Sequence, residues 1–344
     1  MPTDGVQTES GLARSGGAGR TRRRLVKFVR QPQAYLLDSR HAVLRMAGRR
    51  LRAWERKRLL TAGRRAGDIP VTVIMTAYDT GPYVDAAVRS VLEQTHRRLE
   101  LMIIDDASRD DTMIRLNKLA AGDPRIRLFH SPINHGTYWS KNWCLKRARS
   151  EFVAFHDSDD VSHPDRLRLQ LGAMLAANNR VACTVRWRRI GDDGRVVTVD
   201  GKKDRLAAIS LMVRRDIVLK RAGFFDSVRI AADTEYIRRL ERIFGMGAVA
   251  HLRHVVYDGL LRDGSLTRAP GAGFDWHGTG TCVIRQVTGD RAAYYDAFDG
   301  WHRGAGDTDA LYRPFPAATR PFAVPPALVR GADDSREDQV EVIV

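Results

Sequence analysis

Phe152-Val-Ala-Phe-His-Asp-Ser-Asp-Asp160 runs from four mostly apolar residues into three carboxylates within four positions. The first part reads as a buried strand, and Asp157, Asp159 and Asp160 then stand where that strand leaves a sheet. Carboxylates this close repel one another, so their joint ionisation requires solvent or a cation between them. Hard divalent ions such as Mg²⁺ and Mn²⁺ take oxygen ligands, commonly one or two carboxylates together with the phosphates of a substrate. The stretch therefore points to a nucleotide diphosphate held through a metal at a strand end. A plainer reading is a polar turn in which Asp160 or Ser162 caps the helix that opens near Pro164.

Outward from this stretch, the chain from Pro70 alternates between apolar runs of strand length and amphipathic runs of helical period. Strands are expected over 71–77, 99–104, 126–130 and 152–155, and helices over 83–94, 112–121, 138–148 and 166–177. The alternation predicts an α/β fold, with a mostly parallel twisted sheet flanked by helices on both faces. In such sheets ligands bind outside the carboxyl ends of the strands. Three polar clusters fall at three such ends: Thr76-Ala-Tyr-Asp79, Asp105-Asp106 and Asp157-Ser-Asp-Asp160. Independent turns would not place all three on one edge. Beyond residue 180 the pattern loosens. The Gly191-Asp-Asp-Gly194 turn marks a hairpin between 183–190 and 195–199, 208–213 is a further strand, and 234–244 is a helix. The Pro-rich and then acidic tail after Tyr312 is expected to be extended or mobile.

The 344 residues suffice for one large α/β domain with smaller appendages. Residues 1–68 hold 17 Lys/Arg against 5 Asp/Glu, which is +12 of the chain's +16. The basicity thus belongs to an arm and says little about the body. Within it, Leu37, Leu44 and Leu51 recur every seven residues beside Val43, Ala47 and Trp54, an amphipathic basic helix that Pro32 breaks near its start. Residues 20–65 suit the surface of an anionic membrane or a docking partner. They equally suit a helix packed on the body with a solvated basic side. Nucleic acid is the least favoured partner, because no recognition motif accompanies the charge. Cys144, Cys183 and Cys282 have neither disulfide nor metal-site spacing, which favours a reducing compartment. No apolar leader opens the chain and no run of about 18 apolar residues occurs, so the expected location is the cytoplasm, with the inner face of the plasma membrane as the peripheral alternative.

In order and spacing, these motifs resemble family 2 of the glycosyltransferases, inverting enzymes of the GT-A fold. The likeness covers about residues 69–268. It rests on Ile69–Asp79, on Glu100–Thr112 (ELMIIDDASRDDT), on Asn134-His-Gly136 with Lys141-Asn142, on Asp157–Asp160, and on Gly223-Phe-Phe-Asp226 followed by Asp233-Thr-Glu235. It implies a catalytic domain over 69–268, which leaves the basic, partly disordered and amphipathic helical arm over 1–68 before it and a C-terminal extension with an aromatic helix and a mobile tail over 269–344 after it. The implied activity moves a sugar from a nucleotide-sugar donor, a UDP-hexose or UDP-N-acetylhexosamine, to a glycan or lipid-linked acceptor. Surface polysaccharide or glycolipid assembly is the expected setting.

The resemblance also implies roles. Tyr78 would border the nucleobase, with Thr76 and Asp79 offering polar contacts beside it. Asp106 would accept the imide N–H of uracil, while Asp105 orients the loop. Lys141 stands where the family commonly has Arg and would neutralise phosphate as a point charge. Asp157 would contact donor ribose or sugar, Asp159 would bind Mn²⁺ or Mg²⁺, and Asp160 is a weaker candidate for either task. Asp233 is the general-base candidate and Glu235 the second choice, which could instead cap its helix. The family's acidic pair is here reduced by Ala232. A late metal-binding His of some members has no counterpart: Arg262 or Asp263 stands nearby, so Arg262 could replace part of the metal's charge. His251, His254 and His277 are spare candidates. The ring series Tyr294, Tyr295, Phe298 and Trp301 suits core packing or, alternatively, the wall of an acceptor groove. A nucleotidyltransferase would want a basic Gly-rich loop after its first strand, which 76–82 lacks. A non-catalytic carbohydrate-binding scaffold would not need Asp106, Asp159 and Asp233 together.

Overall fold

The central strand β1 (Val71–Ala77) is buried along its whole length, and its side chains alternate between two separate cores. Val71, Val73 and Met75 pack toward Val84 and Val88 of α2 (Gly81–Leu92); the helix that precedes the strand is α1 (Ala42–Arg65). Ile74 points the other way, to the core that holds Trp139 and Trp143. Apolar residues on both faces of one strand require a cover on each side, and the following crossovers supply it. The structure is a computed structural model and describes residues 42–269, 271–329 and 337–344.

The chain continues through β2 (Leu99–Asp106), α3 (Thr112–Gly122), β3 (Ile126–Ser131), α4 (Thr137–Arg147) and β4 (Phe152–Asp157). After the short β5 (Val161–Ser162) come α5 (Arg166–Leu175), β6 (Ala182–Ile190), β7 (Val196–Val199) and β8 (Arg205–Arg214). Then follow α6 (Arg215–Arg221), α7 (Ala232–Phe244), β9 (Val249–Leu260), the hairpin β10 (Phe274–Thr279) and β11 (Cys282–Val287), α8 (Gly289–Gly304), and β12 (Glu341–Val342). The sheet order is β10-β11-β7-β6-β8-β4-β1-β2-β3-β12. The parallel ladder expected from the alternation is β3-β2-β1-β4. Beyond β4 the pairing turns antiparallel through β8, β6 and β7, and β9 adds in parallel to β6.

Within the parallel ladder, Thr76 lies opposite Asp157 and Ala77 opposite Asp105. The three polar clusters therefore emerge in one row.

Among the described residues the chain divides into a unit that ends at Lys57 and one that begins at Arg58. The body thus starts earlier than the expected boundary at 68. Leu59, 2% exposed, packs with Leu169 and Ala173 of α5. A Cβ on Gly63 would stand 2.1 Å from the Arg168 carbonyl oxygen, and one on Gly172 would stand 2.1 Å from that of Leu59. Glycine at both positions lets the two helices touch backbone to backbone. Leu37 and Pro32 lie outside the described residues.

The last residues of the C-terminal tail are paired with the body. Over 337–344, β12 pairs antiparallel with β3, Glu337 accepts from Lys146 and Arg147, and the Trp143 indole donates to the Glu337 carbonyl. An open edge strand gains by being covered, and this acidic segment meets a basic helix end on the way. The rings of α8 face inward: Tyr294 and Phe298 are fully buried in the core that also holds Tyr236. Core packing, not an acceptor groove, is their place.

Candidate active site

Two loops at the carboxyl edge are tied together by side chains. The Asp79 N–H donates to Ser108 Oγ (3.0 Å), and Asp79 Oδ1 in turn accepts from the Arg109 N–H (2.7 Å). The Thr80 N–H donates to Thr112 Oγ1 (2.8 Å) and that of Gly81 to Asp110 Oδ2 (2.9 Å). Asp79 and Ala107 sit in the left-handed region, with φ of 47° and 64°, as does Ala231 at 70° just before α7. Side chains are strained there, and such strain collects where surroundings fix a loop for use.

The strand ends enclose a cavity of about 290 Å³ lined by Thr76, Tyr78, Asp106, Asp157, Asp159 and Asp160. Tyr78 is exposed at its wall, whereas Asp106 is 3% exposed. Asp106 accepts the N–H groups of His135 (2.9 Å) and Gly136 (2.8 Å), one on each oxygen. Asp105 lies beneath: Oδ2 accepts the Ser108 N–H and pairs with His130 Nδ1, while Oδ1 is buried without a hydrogen-bond partner among the described residues. Thr76 shares a hydrogen bond with Thr137 (2.8 Å). Asp79 does not line the cavity; it serves the loop tie described above.

Cations surround the acidic trio. Buried Lys141 donates to Asp157 (2.9 Å), and Arg262 Nε donates to Asp159 Oδ2 (3.0 Å). Arg189 lies across the cavity wall and donates to the Leu260 carbonyl, while Asp160 accepts the Leu260 N–H. Burial, then the charge of Asp157, pushes the Asp159 carboxyl up despite Arg262. Burial, then Asp159 and Asp157, pushes Asp160 up well above its ordinary value. Burial leads both shifts, and the neighbouring carboxylates add to it.

The donor chemistry of this trio fits a hard divalent ion. Among the described residues no group of three His, Cys, Asp or Glu could enclose a metal. A Mg²⁺-type site needs less, because such ions keep waters and substrate phosphates beside one or two carboxylates. His251 is taken by Glu241 and Thr184, His254 is buried, and His277 is exposed on β10; none lines the cavity.

The two base candidates part company here. Glu235 is fully buried, with both oxygens on Arg239 (2.8 and 3.0 Å) and Oε1 also on His302 (3.0 Å). Burial would raise its pKa, but Arg239 and His302 outweigh burial and hold it below the ordinary 4.5. Asp233 is half-buried in the first turn of α7, and its carboxylate accepts only from Thr234, with no ion pair among the described residues. It does not line the cavity. Burial, then the charges of Asp233 and of Asp157, pushes the Tyr138 hydroxyl well up, so that hydroxyl lies within electrostatic reach of both.

Sequence reasoning missed Trp187, Arg189, Ile209 and Arg229, which complete the cavity. The two-residue spacing of Trp187 and Arg189 on β6 was the available signal for a shared face.

Comparison with known proteins places this geometry. Residues 72–228 match the glycosyl transferase family 2 model. A UDP-Glc:alpha-D-GlcNAc-diphosphoundecaprenol beta-1,3-glucosyltransferase, WfgD of Escherichia coli, is 37% identical over 111 residues, or 32% of this chain and 43% of that one. The putative teichuronic acid biosynthesis glycosyltransferase TuaG of Bacillus subtilis (strain 168) is 38% identical over 105 residues, or 30% and 42%. The chain thus covers under half the length of these curated relatives. Among solved structures, TarS 1–349 of S. aureus in complex with UDP-GlcNAc aligns over 57% of this chain and 60% of that one, at 20% identity and a TM-score of 0.45. The matched segment takes in the ends of β1, β2 and β4 together with the acidic trio, and the chain carries a family 2 glycosyltransferase domain.

Proposed function

We propose that this domain transfers a sugar, with inversion, from a UDP-sugar to an acceptor hydroxyl in the assembly of a cell-surface polysaccharide or glycolipid. The observation that carries the reading is the single cavity formed by Thr76, Tyr78, Asp106 and the Asp157–Asp160 trio at the carboxyl edge of a parallel ladder. Tyr78 offers a ring for the base. Asp106 is oriented by two backbone N–H groups, one on each oxygen, and a carboxylate suits the imide N–H of uracil. The names of WfgD and TuaG, a UDP-Glc enzyme acting on a lipid diphosphate and a teichuronic acid enzyme, support the donor and the setting.

Asp159, with Asp157, would hold Mn²⁺ or Mg²⁺, which when bound supplies positive charge against the leaving diphosphate. Arg262 adds charge at the same place. Lys141 keeps Asp157 oriented from below. Asp233, free of any ion pair among the described residues, would take the proton of the attacking hydroxyl. The test is thermal stabilisation by UDP, GDP and CMP, each with Mn²⁺, and then transfer with and without excess chelator. UDP should stabilise most, and Asp159→Ala should abolish transfer while leaving the unliganded melting temperature in place. Equal stabilisation by all three nucleotides would remove the case for uridine, and full activity in chelator would remove the metal.

Residues up to 57 are proposed to touch the anionic inner face of the plasma membrane from the cytoplasm. Val43, Met46 and Trp54 are exposed and share a helical face with Arg50 and Lys57, an apolar and basic mixture suited to a lipid surface. Among the described residues no helix is long and apolar enough to cross a membrane. A chain beginning at Arg58 should lose binding to anionic vesicles and keep UDP binding. One beginning at Asp68 should in addition lose about 2–4 kcal/mol of stability, because it strips Leu59 from the body. Equal vesicle binding by the full chain and the Arg58 chain would end the membrane proposal.

A further inference from the structure

β7, β8 and the β10–β11 hairpin enclose a second cavity of about 390 Å³ beside the first. Trp187, Arg189 and Thr267 line both, so the two share a wall. Its volume falls in the range of small-molecule pockets, roughly 300–1,000 Å³. Five cations line it (Arg186, Arg189, Lys202, Arg205 and Arg285) and no carboxylate does. Asp204 pairs with Arg186 and Asp200 with Arg205 from outside the lining. Lys202 and Arg285 have no ion pair among the described residues, and the Arg285 guanidinium lies 4.4 Å from the Phe274 ring centroid. Burial, then the like charge of Arg205, pushes the Arg285 pKa down. Like charges gathered around an empty cavity repel, and an anion inside would reverse the sign of that interaction.

The walls also carry apolar rings. Trp276 is half-buried and fixed by its indole N–H, which donates to the Thr267 carbonyl (3.0 Å). Trp187 lies against Gly259, where a Cβ would come within 2.4 Å of Trp187 Cε3, so only glycine lets the indole rest on β9. Trp187 Nε1 and Arg205 Nε are buried donors without a hydrogen-bond partner among the described residues. Flat rings suit the apolar faces of sugars, while guanidinium and ammonium groups suit carboxylate or phosphate.

We propose that this second cavity is an acceptor subsite for a sugar that carries a negative charge, a hexuronic acid or a sugar phosphate; the assignment rests on reading the domain as a glycosyltransferase. Its shared wall with the donor cavity sets an acceptor beside the bound donor. The charged character selects against neutral glycans, because a neutral sugar leaves the cation cluster uncompensated.

The test titrates the full chain with methyl glucuronide, glucose 1-phosphate and the neutral methyl glucoside, each followed by tryptophan fluorescence and calorimetry. At least one charged probe should bind about ten-fold more tightly than the neutral one, and the tighter of the two identifies the anion. Lys202→Gln and Arg285→Gln should each weaken that probe several-fold and together bring it to the neutral level. Lys202 is exposed, so its variant keeps the test alive should the Arg285 change disturb the hairpin. Equal binding of all three probes, or undiminished charged-probe binding in the double variant, would overturn the subsite. UDP titrated into the same samples separates the two readings. UDP binding without preference for charged sugars sinks the acceptor subsite alone. Charged-sugar binding without UDP binding upholds the anionic site and sinks the donor reading.

Discussion

The carboxylates at the cleft and the carboxylates packed under α8 are treated in opposite ways by the same fold. At the cleft, burial and then the charge of Asp157 push Asp159 up, while burial and then Asp159 and Asp157 push Asp160 up. Under α8, Glu235 has Arg239 and His302, and Asp226 has Arg313, Arg320 and the Tyr294 hydroxyl. Every partner of the second set is supplied by the chain itself. The first set combines burial with like-charged neighbours, an arrangement that is common where a site is built to meet a ligand. Burial alone does not divide the two sets, since Asp160 is as hidden as Glu235. The number of internal partners does.

The largest effect that can break this contrast is kinetic. Asp233→Asn keeps the shape of the side chain but removes its ability to take a proton. Transfer to an acceptor should fall about 10²–10⁴-fold, the usual range for losing general-base assistance, with UDP binding and melting temperature unchanged. Glu235→Gln should leave transfer per folded molecule within a few-fold of wild type. The measurement is the pair of transfer rates at saturating donor. A crippled Glu235→Gln beside a normal Asp233→Asn would reverse the assignment.

Next comes stability, where the two variants should change places. Glu235→Gln leaves the Arg239 guanidinium, fully buried, without its counter-charge. Breaking a buried pair by removing one partner costs about 3–5 kcal/mol. Arg239 also donates to the carbonyls of Ala222 and Phe224, so the loss should loosen the 222–226 turn and, through Asp226, the packing of α8. Urea midpoints would show this. A Glu235→Gln midpoint equal to that of Asp233→Asn would mean that the buried network is no more structural than the cleft.

The sequence made the first half of this contrast legible and hid the second. Strand β1, the Asp105-Asp106 end of β2 and the trio after β4 announce themselves, because parallel strands buried on both faces read as unbroken apolar runs that stop at polar ends. Strand β9 escaped notice: its buried positions alternate three in a row only from Leu252 to Val256, and the middle one of these three is the polar His254. The β10–β11 hairpin has His277, Ile284, Gln286 and Val287 on exposed positions and buries only Val283, so it has no apolar stripe to find. Asp233 and Glu235 look alike in sequence, since both fall in the first turn of a helix. The difference between them is made by His302 and Arg239, and His302 lies 67 residues away. The Asp226 partners Arg313 and Arg320 sit in a Pro-rich stretch where the composition suggested no order.

The smallest expected effect is the acid limb, and it sharpens the contrast without touching catalysis. Because Arg239 and His302 hold the Glu235 pKa below its ordinary 4.5, the folded state keeps this carboxylate ionised at pH values where the unfolded chain has begun to protonate it. A group depressed in the folded state gives stability that is present above the unfolded pKa and is lost as pH falls toward the folded one. The stability gap between wild type and Glu235→Gln should therefore be constant from pH 7 to about 5. Below 4.5 it should shrink, by up to about 1.4 kcal/mol for each pH unit until the folded pKa is reached. Urea midpoints of both proteins from pH 7 to 3.5 would display it. A gap that persists undiminished to pH 3.5 would mean that Arg239 does not hold Glu235 as an ion pair, and the division between completed and incomplete carboxylates would lose its firmest member.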